Sequence, residues 1–301
     1  MHATLLAAIF EFPRTPVSMC SAGVLVFLVG LWAARADVAR ARGLDKIVAL
    51  DNLSFAVPLA VFGALHIAAV NSIAPLVPKY MPWRLFWAYF VGFALLAAAL
   101  SIATKIQVRW SGLLFGIMMF IFATLMDFRA AFASPRDRFV WTLALREMAF
   151  GGGGWILAGH AMREKGREYG KQLITVGRVL VAIAAIFYGV ENVLHPLNVP
   201  GVPLEKMMPP WIPARLLIGY VTGLILVVAG AAMLGRMVRM AATYLGTWIV
   251  LLVLFVYGPI LIAALMNPNT GVKIEGINYF ADTLLFAGAI LALASATSRA
   301  D

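Results

Sequence analysis

Residues 189–223 read GVENVLHPLNVPGVPLEKMMPPWIPARLLIGYVTG, and the second half of this stretch occurs twice in the chain. Pro82 to Gly92 is PWRLFWAYFVG, and Pro213 to Gly223 is PARLLIGYVTG. Both fit P-x-R-L-x-x-x-Y-x-x-G, and each lies downstream of an apolar segment with a glycine after an aromatic residue, Phe62-Gly63 and Tyr188-Gly189. The glycines are 189 − 63 = 126 residues apart and the prolines 213 − 82 = 131, so the second copy carries five extra residues in the loop HPLNVPGVPLEKMMPPW. The chain reads as duplicated.

Outward from this element the sequence is overwhelmingly apolar. Of 301 residues, 62% are hydrophobic and 13% charged, far more apolar surface than one soluble core of that size buries. That composition specifies an integral membrane protein. The formal charge of +10 would suggest nucleic acid in a soluble domain, but cationic loops between apolar spans are what membrane orientation requires. No nucleic-acid partner is expected; the bilayer is. The single cysteine, Cys20, excludes an internal disulfide or a Cys-x-x-Cys pair. The opening MHATLLAAIFEFPRTP lacks a secretory cleavage pattern and is expected to persist as an interfacial segment.

Runs of roughly 20 apolar residues, enough helix to cross the hydrocarbon, predict an all-α polytopic membrane protein of about nine transmembrane helices. They centre on 17–34, 53–76, 83–104, 111–128, 140–162, 176–194, 214–234, 248–265 and 279–296. Spans two to five and six to nine form two parallel four-helix repeats behind one N-terminal helix. The implied divisions are 1–47, 48–170 and 171–301. Of the 24 Lys and Arg, 14 then fall on one side and nine on the other, with Arg146 inside a span. The basic side is expected in the cytoplasm of a bacterial inner membrane, with the N-terminus outside and the C-terminus cytoplasmic.

A glycine three residues before His or Asn late in one helix, a Pro-rich loop, and P-x-R-L-x-x-x-Y-x-x-G opening the next helix together resemble the DoxX-like family of small four-helix membrane proteins. The resemblance is best over 180–235 and weaker over 58–105. It implies a tandem of two such units. It also implies a redox association, since family members include subunits of a quinol oxidase and of a thiosulfate:quinone oxidoreductase. The matching positions include Arg84, Arg215, Tyr89 and Tyr220, and the resemblance assigns none of them a catalytic role.

Ionisable side chains within spans are expensive and usually face the bundle interior or water. With the assigned topology His66, Arg84, Asp127, Arg146, Glu147, Glu191, His195, Arg215 and Asp282 all fall toward the outer side. This predicts an outward-facing cavity between the repeats, suited to a quinone headgroup or another amphipathic ligand. Glu191 and His195, four apart on one helical face, form a candidate catalytic pair that accepts a quinol proton; alternatively His195 ends the helix and Glu191 pairs with Arg215. Asn192 matches His66, and Arg146 falls opposite Asp282 in the other repeat, as expected for an ion pair. Gly151 to Gly154 lacks the G-K-[ST] ending of a phosphate loop and predicts close helix packing. No metal site or haem ligation is readable. Beside a quinone-binding redox subunit, two alternatives stand: a scaffold anchoring a partner subunit, whose polar pairs only hold the repeats together, or a lipid or small-solute transporter, suggested by the parallel repeats alone.

Overall fold

The computed structural model describes residues 13–202 and 205–297, and these form a bundle of long helices. They are α1 (Arg14–Arg40), α2 (Asp51–Ala68), α3 (Arg84–Ala103), α4 (Val108–Ala133), α5 (Arg138–Arg163), α6 (Tyr169–Leu194), α7 (Arg215–Leu234), α8 (Val238–Met266) and α9 (Thr270–Ala296). All except α5 are long and apolar enough to cross a membrane, which makes eight among the described residues. The chain is an all-helical, polytopic membrane protein. Helix α5 has the length, at 26 residues, but carries Arg138, Arg146 and Glu147. The expected interfacial segment falls mostly at 1–12, and Arg299 at 298–301, both outside the described residues.

Helices α2 and α9 are the central pair, with 72% and 78% of their apolar windows buried, against 28% for α1 and α4. The outer helices keep apolar side chains on their outside, including Leu25 and Trp32 of α1, Phe86 and Phe93 of α3, and Phe255 and Ile262 of α8. Such an exposed apolar surface is what a lipid-facing belt requires. Helix α5 packs among α4, α6 and α9. Its run Gly151 to Gly154 lets neighbouring helices approach closely: a Cβ on Gly152 would lie 3.0 Å from the Gly177 carbonyl of α6, and one on Gly154 2.8 Å from the Gly112 carbonyl of α4.

The repeated motif has a local physical meaning in both places. Trp83 and Ala214, which follow the two prolines, adopt the left-handed conformation (φ 52 and 51), and the helix begins at the next residue, Arg84 or Arg215. The last glycine of each motif meets the upstream glycine across a helix pair. A Cβ on Gly63 would lie 2.9 Å from the Gly92 carbonyl, and one on Gly189 2.7 Å from the Gly223 carbonyl. The motif therefore specifies a left-handed helix start and a close crossing about two turns later.

Further correspondences follow the same spacing. Both α3 and α7 are 20 residues long. Both α4 and α8 open with 15 α-helical residues and then pass through a five-residue π turn, Ala123–Asp127 and Val253–Tyr257, at an offset of 253 − 123 = 130. π turns are rare and tend to mark functional or packing constraints.

The loop between α6 and α7 is where the two halves differ. Its residues 199–202 and 205–212 fold back into the bundle, burying Val199, Val202, Met208 and Ile212, with a bridge between Asn198 and Met207. Tyr257, on the second π turn, donates its hydroxyl to the Pro200 carbonyl at 2.6 Å. Asn192 Nδ2 donates to the carbonyls of Tyr188 (2.7 Å) and, more weakly, Gly201 (3.4 Å).

Candidate functional site

A cavity of about 610 Å³ lies in the first half of the chain, walled by α2, α3, α4 and α5 and closed by α9. Its size suits a small amphipathic molecule, since ligand cavities run from about 300 to 1,000 Å³. Most of the wall is apolar: Phe62, Leu95, Phe115, Met119, Phe139 and Leu143 are representative. The polar groups gather on α5 and α9, with His66 of α2 and Trp87 of α3 facing the same space.

The centre of the polar wall is an ion cluster. Arg146 donates through Nη1 to Asp282 Oδ2 at 3.2 Å and through Nη2 to Glu147 Oε1 at 2.9 Å. The Asp282 and Glu147 side chains are only 8% and 13% exposed. One guanidinium thus serves two carboxylates, and Asp127 of the first π turn lies near enough to sense both Arg146 and Glu147. The formal charge of the Arg146, Glu147 and Asp282 cluster is −1, which disfavours an anionic headgroup.

Beside the cluster the wall offers unused hydrogen-bonding capacity of both kinds. Trp87 Nε1, a donor, and Asn278 Oδ1, an acceptor, are buried without a protein partner. His66 Nδ1 lies 2.8 Å from the Phe62 carbonyl, which can only accept, so that nitrogen carries the proton. In the neutral ring Nε2 is then an acceptor. Buried polar groups without partners are costly and uncommon, and a ligand bearing both acceptor and donor atoms would satisfy them.

The structure divides the residues singled out from sequence. It brings together His66, Arg146, Glu147 and Asp282 at this cavity. The ion pair expected between Arg146 and Asp282 is present. Glu191, by contrast, is buried against Arg138, whose Nη1 donates to its Oε2 at 3.1 Å and whose Nη2 reaches Glu205 at 3.2 Å. His195 is exposed where α6 ends, and no hydrogen bond or ion pair joins its imidazole to Glu191 among the described residues. The alternative partner fares no better, because Arg215 Nη1 donates to the Met208 carbonyl at 3.1 Å. Tyr89 and Tyr220 lie on the outside of the bundle, 40% and 49% exposed, and Arg84 is half-buried at the start of α3. Asn192 serves the folded-back loop.

That loop packs against α8 and α9. Met119 lines the cavity, and the residue at 119 + 130 is Ile249. A Cβ on Gly201 would lie 3.9 Å from Ile249 Cδ1 and 3.3 Å from Thr283 Cγ2, so the loop packs beside that residue. Trp87 and Asn278 were missed from sequence; Trp87 reads as an interfacial anchor, and Asn278 lies in a polar stretch, 273–278, ahead of the expected ninth span.

Compared with known protein families, curated proteins and solved structures, the chain matches none.

Proposed function

We propose that this protein binds an amphipathic ligand of the quinone and quinol class in the cavity of its first half, as a membrane subunit of a redox system. The observation that carries the reading is the pairing of an apolar chamber with one polar wall holding both an unused donor, Trp87 Nε1, and an unused acceptor, Asn278 Oδ1. A quinone ring presents carbonyl oxygens that accept; its reduced form presents hydroxyls that donate. Phe62, Phe115 and Phe139 surround the ring and the start of its tail. His66 Nε2 and Glu147 are the groups to accept a proton from a hydroxyl, with Arg146 hydrogen-bonded to both Glu147 and Asp282. The electron acceptor would be a partner subunit.

The same reading makes the chain a tandem duplication, supported by the matching left-handed helix starts, glycine pairs and π turns. It also takes α5 across the membrane as a ninth span, its charges answered inside the bundle by Asp282 of α9 and Glu191 of α6. The basic ends carrying Arg35, Lys105, Arg163 and Arg236 would face the cytoplasm of a bacterial inner membrane. The resemblance of the two motifs to DoxX-like proteins accords with this assignment.

Solvent extraction of protein purified from native membranes, followed by mass spectrometry, tests the ligand class. Near-stoichiometric quinone, enriched over bulk membrane lipid and lost in a Val91→Trp variant that fills the cavity, is the expected result. Quinone at bulk abundance in both proteins would overturn the assignment.

A further inference from the structure

At the opposite end of the bundle, independent of the first cavity, lies a second one of about 540 Å³. The starts of α2 and α4 and the ends of α3, α5 and α9 enclose it. Asp51 on its wall and His66 in the first cavity are 15 residues apart on α2, roughly 22 Å of helix. The two chambers therefore sit near opposite faces of the membrane.

Some of the charge here is already matched. Lys105 Nζ pairs with Asp37 at 2.7 Å, and Arg239 spans Asp45 (2.8 Å) and the carbonyls of Ala294 and Thr297 (3.0 and 2.9 Å). What is left over has a definite pattern. Asn52 is 3% exposed and its Nδ2 donates to the Ala103 carbonyl at 2.9 Å, which fixes the amide orientation and leaves Oδ1 an acceptor with no donor. Next to it Asp51 is buried; its carboxylate accepts from the Asn52 backbone at 2.6 Å and from the Ser295 hydroxyl, two bonds for two oxygens that can each accept more. His160 Nε2 faces Glu164 at 3.7 Å, which favours the proton on that nitrogen and leaves buried Nδ1 as another unpartnered acceptor. Two cations complete the set: Arg109 Nε is a buried donor without a partner, and Lys165 on the rim pairs with no carboxylate among the described residues.

We propose that this cavity binds a primary ammonium joined to a phosphate, the chemistry of an aminoethyl phosphate headgroup. The ammonium donates to Asn52 Oδ1 and Asp51, and the phosphate takes Arg109 and Lys165. An anion alone would leave the carboxylate and amide acceptors facing negative charge. A quaternary ammonium has no N–H to donate, and no Phe, Tyr or Trp lines the chamber to cage it. Nor does any group of three His, Cys, Asp or Glu suited to a metal occur among the described residues.

The group can come from a phospholipid or from a free metabolite, and one experiment separates them. The full chain is reconstituted in nanodiscs holding equal phosphatidylethanolamine, phosphatidylcholine and phosphatidylglycerol, and the lipids retained on release are quantified by native mass spectrometry. A lipid source gives at least a fivefold preference for the ethanolamine lipid, falling with each N-methyl group added. Asp51→Asn and Asn52→Leu abolish the preference, and Lys165→Ala, on the exposed rim, reduces it about twofold. Should the buried variants fail to fold, the methylation series on the wild type and Lys165→Ala still decide. A free source gives no lipid preference but saturable, stabilising binding of soluble phosphoethanolamine that Lys165→Ala weakens. Equal retention of all three lipids with no phosphoethanolamine binding, or a preference for phosphatidylglycerol, overturns the proposal.

Discussion

Replacing Arg146 with methionine isolates the ion cluster that organises the first cavity. The guanidinium makes two charge-assisted bonds, at 3.2 Å to Asp282 and 2.9 Å to Glu147. Removing it leaves two carboxylates, both mostly buried, facing each other without a counter-charge. Breaking a buried pair in this way costs about 3–5 kcal/mol, because the remaining charge keeps its desolvation penalty and loses its compensation. Asp282→Asn behaves differently: Arg146 and Glu147 stay paired, the cluster becomes neutral, and the loss should be about 1 kcal/mol, one ordinary hydrogen bond. Combining Arg146→Met with Glu147→Gln and Asp282→Leu removes every charge and should restore most of the stability. The assay is unfolding in mixed micelles with increasing denaturing detergent, followed by circular dichroism. Equal destabilisation by Arg146→Met and Asp282→Asn would refute the reasoning. So would a triple variant no more stable than Arg146→Met.

Three further outcomes follow from the same packing. Ala214→Gly should stabilise the protein by about 0.5–1 kcal/mol in that assay, because a left-handed residue with a Cβ is strained by about 1–2 kcal/mol and glycine's extra chain entropy takes back only part of it; a destabilising effect would mean that φ 51 at the start of α7 is not strained. Gly177→Leu should cost at least about 1–3 kcal/mol of overpacking, since its Cβ would press on the Gly152 carbonyl and force α5 and α6 apart, whereas Leu217→Ala, at an exposed position, should be nearly silent. Glu191→Gln should lower stability by weakening the tie to Arg138 yet leave quinone affinity within twofold of wild type; a tenfold loss of affinity would return Glu191 to the site.

How much of this was legible in the sequence depends on the range over which each feature is encoded. The helices were readable because a span declares itself in about 20 consecutive residues. The pairing of Arg146 with Asp282 was readable too, once the expected repeat was used to align the two helices. Glu191 shows the limit. Its spacing to His195 is real, but Arg138 reaches it from the start of α5, 53 residues away, and no local pattern announces that contact. The long loop misled in another way: its extra length pointed to a site, yet Pro200 and Gly201 are set against Tyr257 and Thr283 in the packed bundle. Tyr89 and Tyr220 recur in both motifs yet face outward, so repetition alone did not mark them as ligands. The second cavity was illegible because Asn52, Arg109, His160 and Ser295 come together from four separate helices.

The quinone assignment is tested most directly by fluorescence titration, because Trp87 lies in the wall of the cavity and reports on whatever enters it. A short-chain benzoquinone added to the purified protein should quench emission saturably, and Trp87→Phe should remove the saturable component. Affinity should fall at least tenfold in Val91→Trp and in the His66→Leu/Asn278→Leu double variant, about 1.4 kcal/mol or more, while Glu191→Gln stays at the wild-type value. Quenching that is linear in quinone, or that persists unchanged when the cavity is filled, would contradict a quinone site in the first half of this protein.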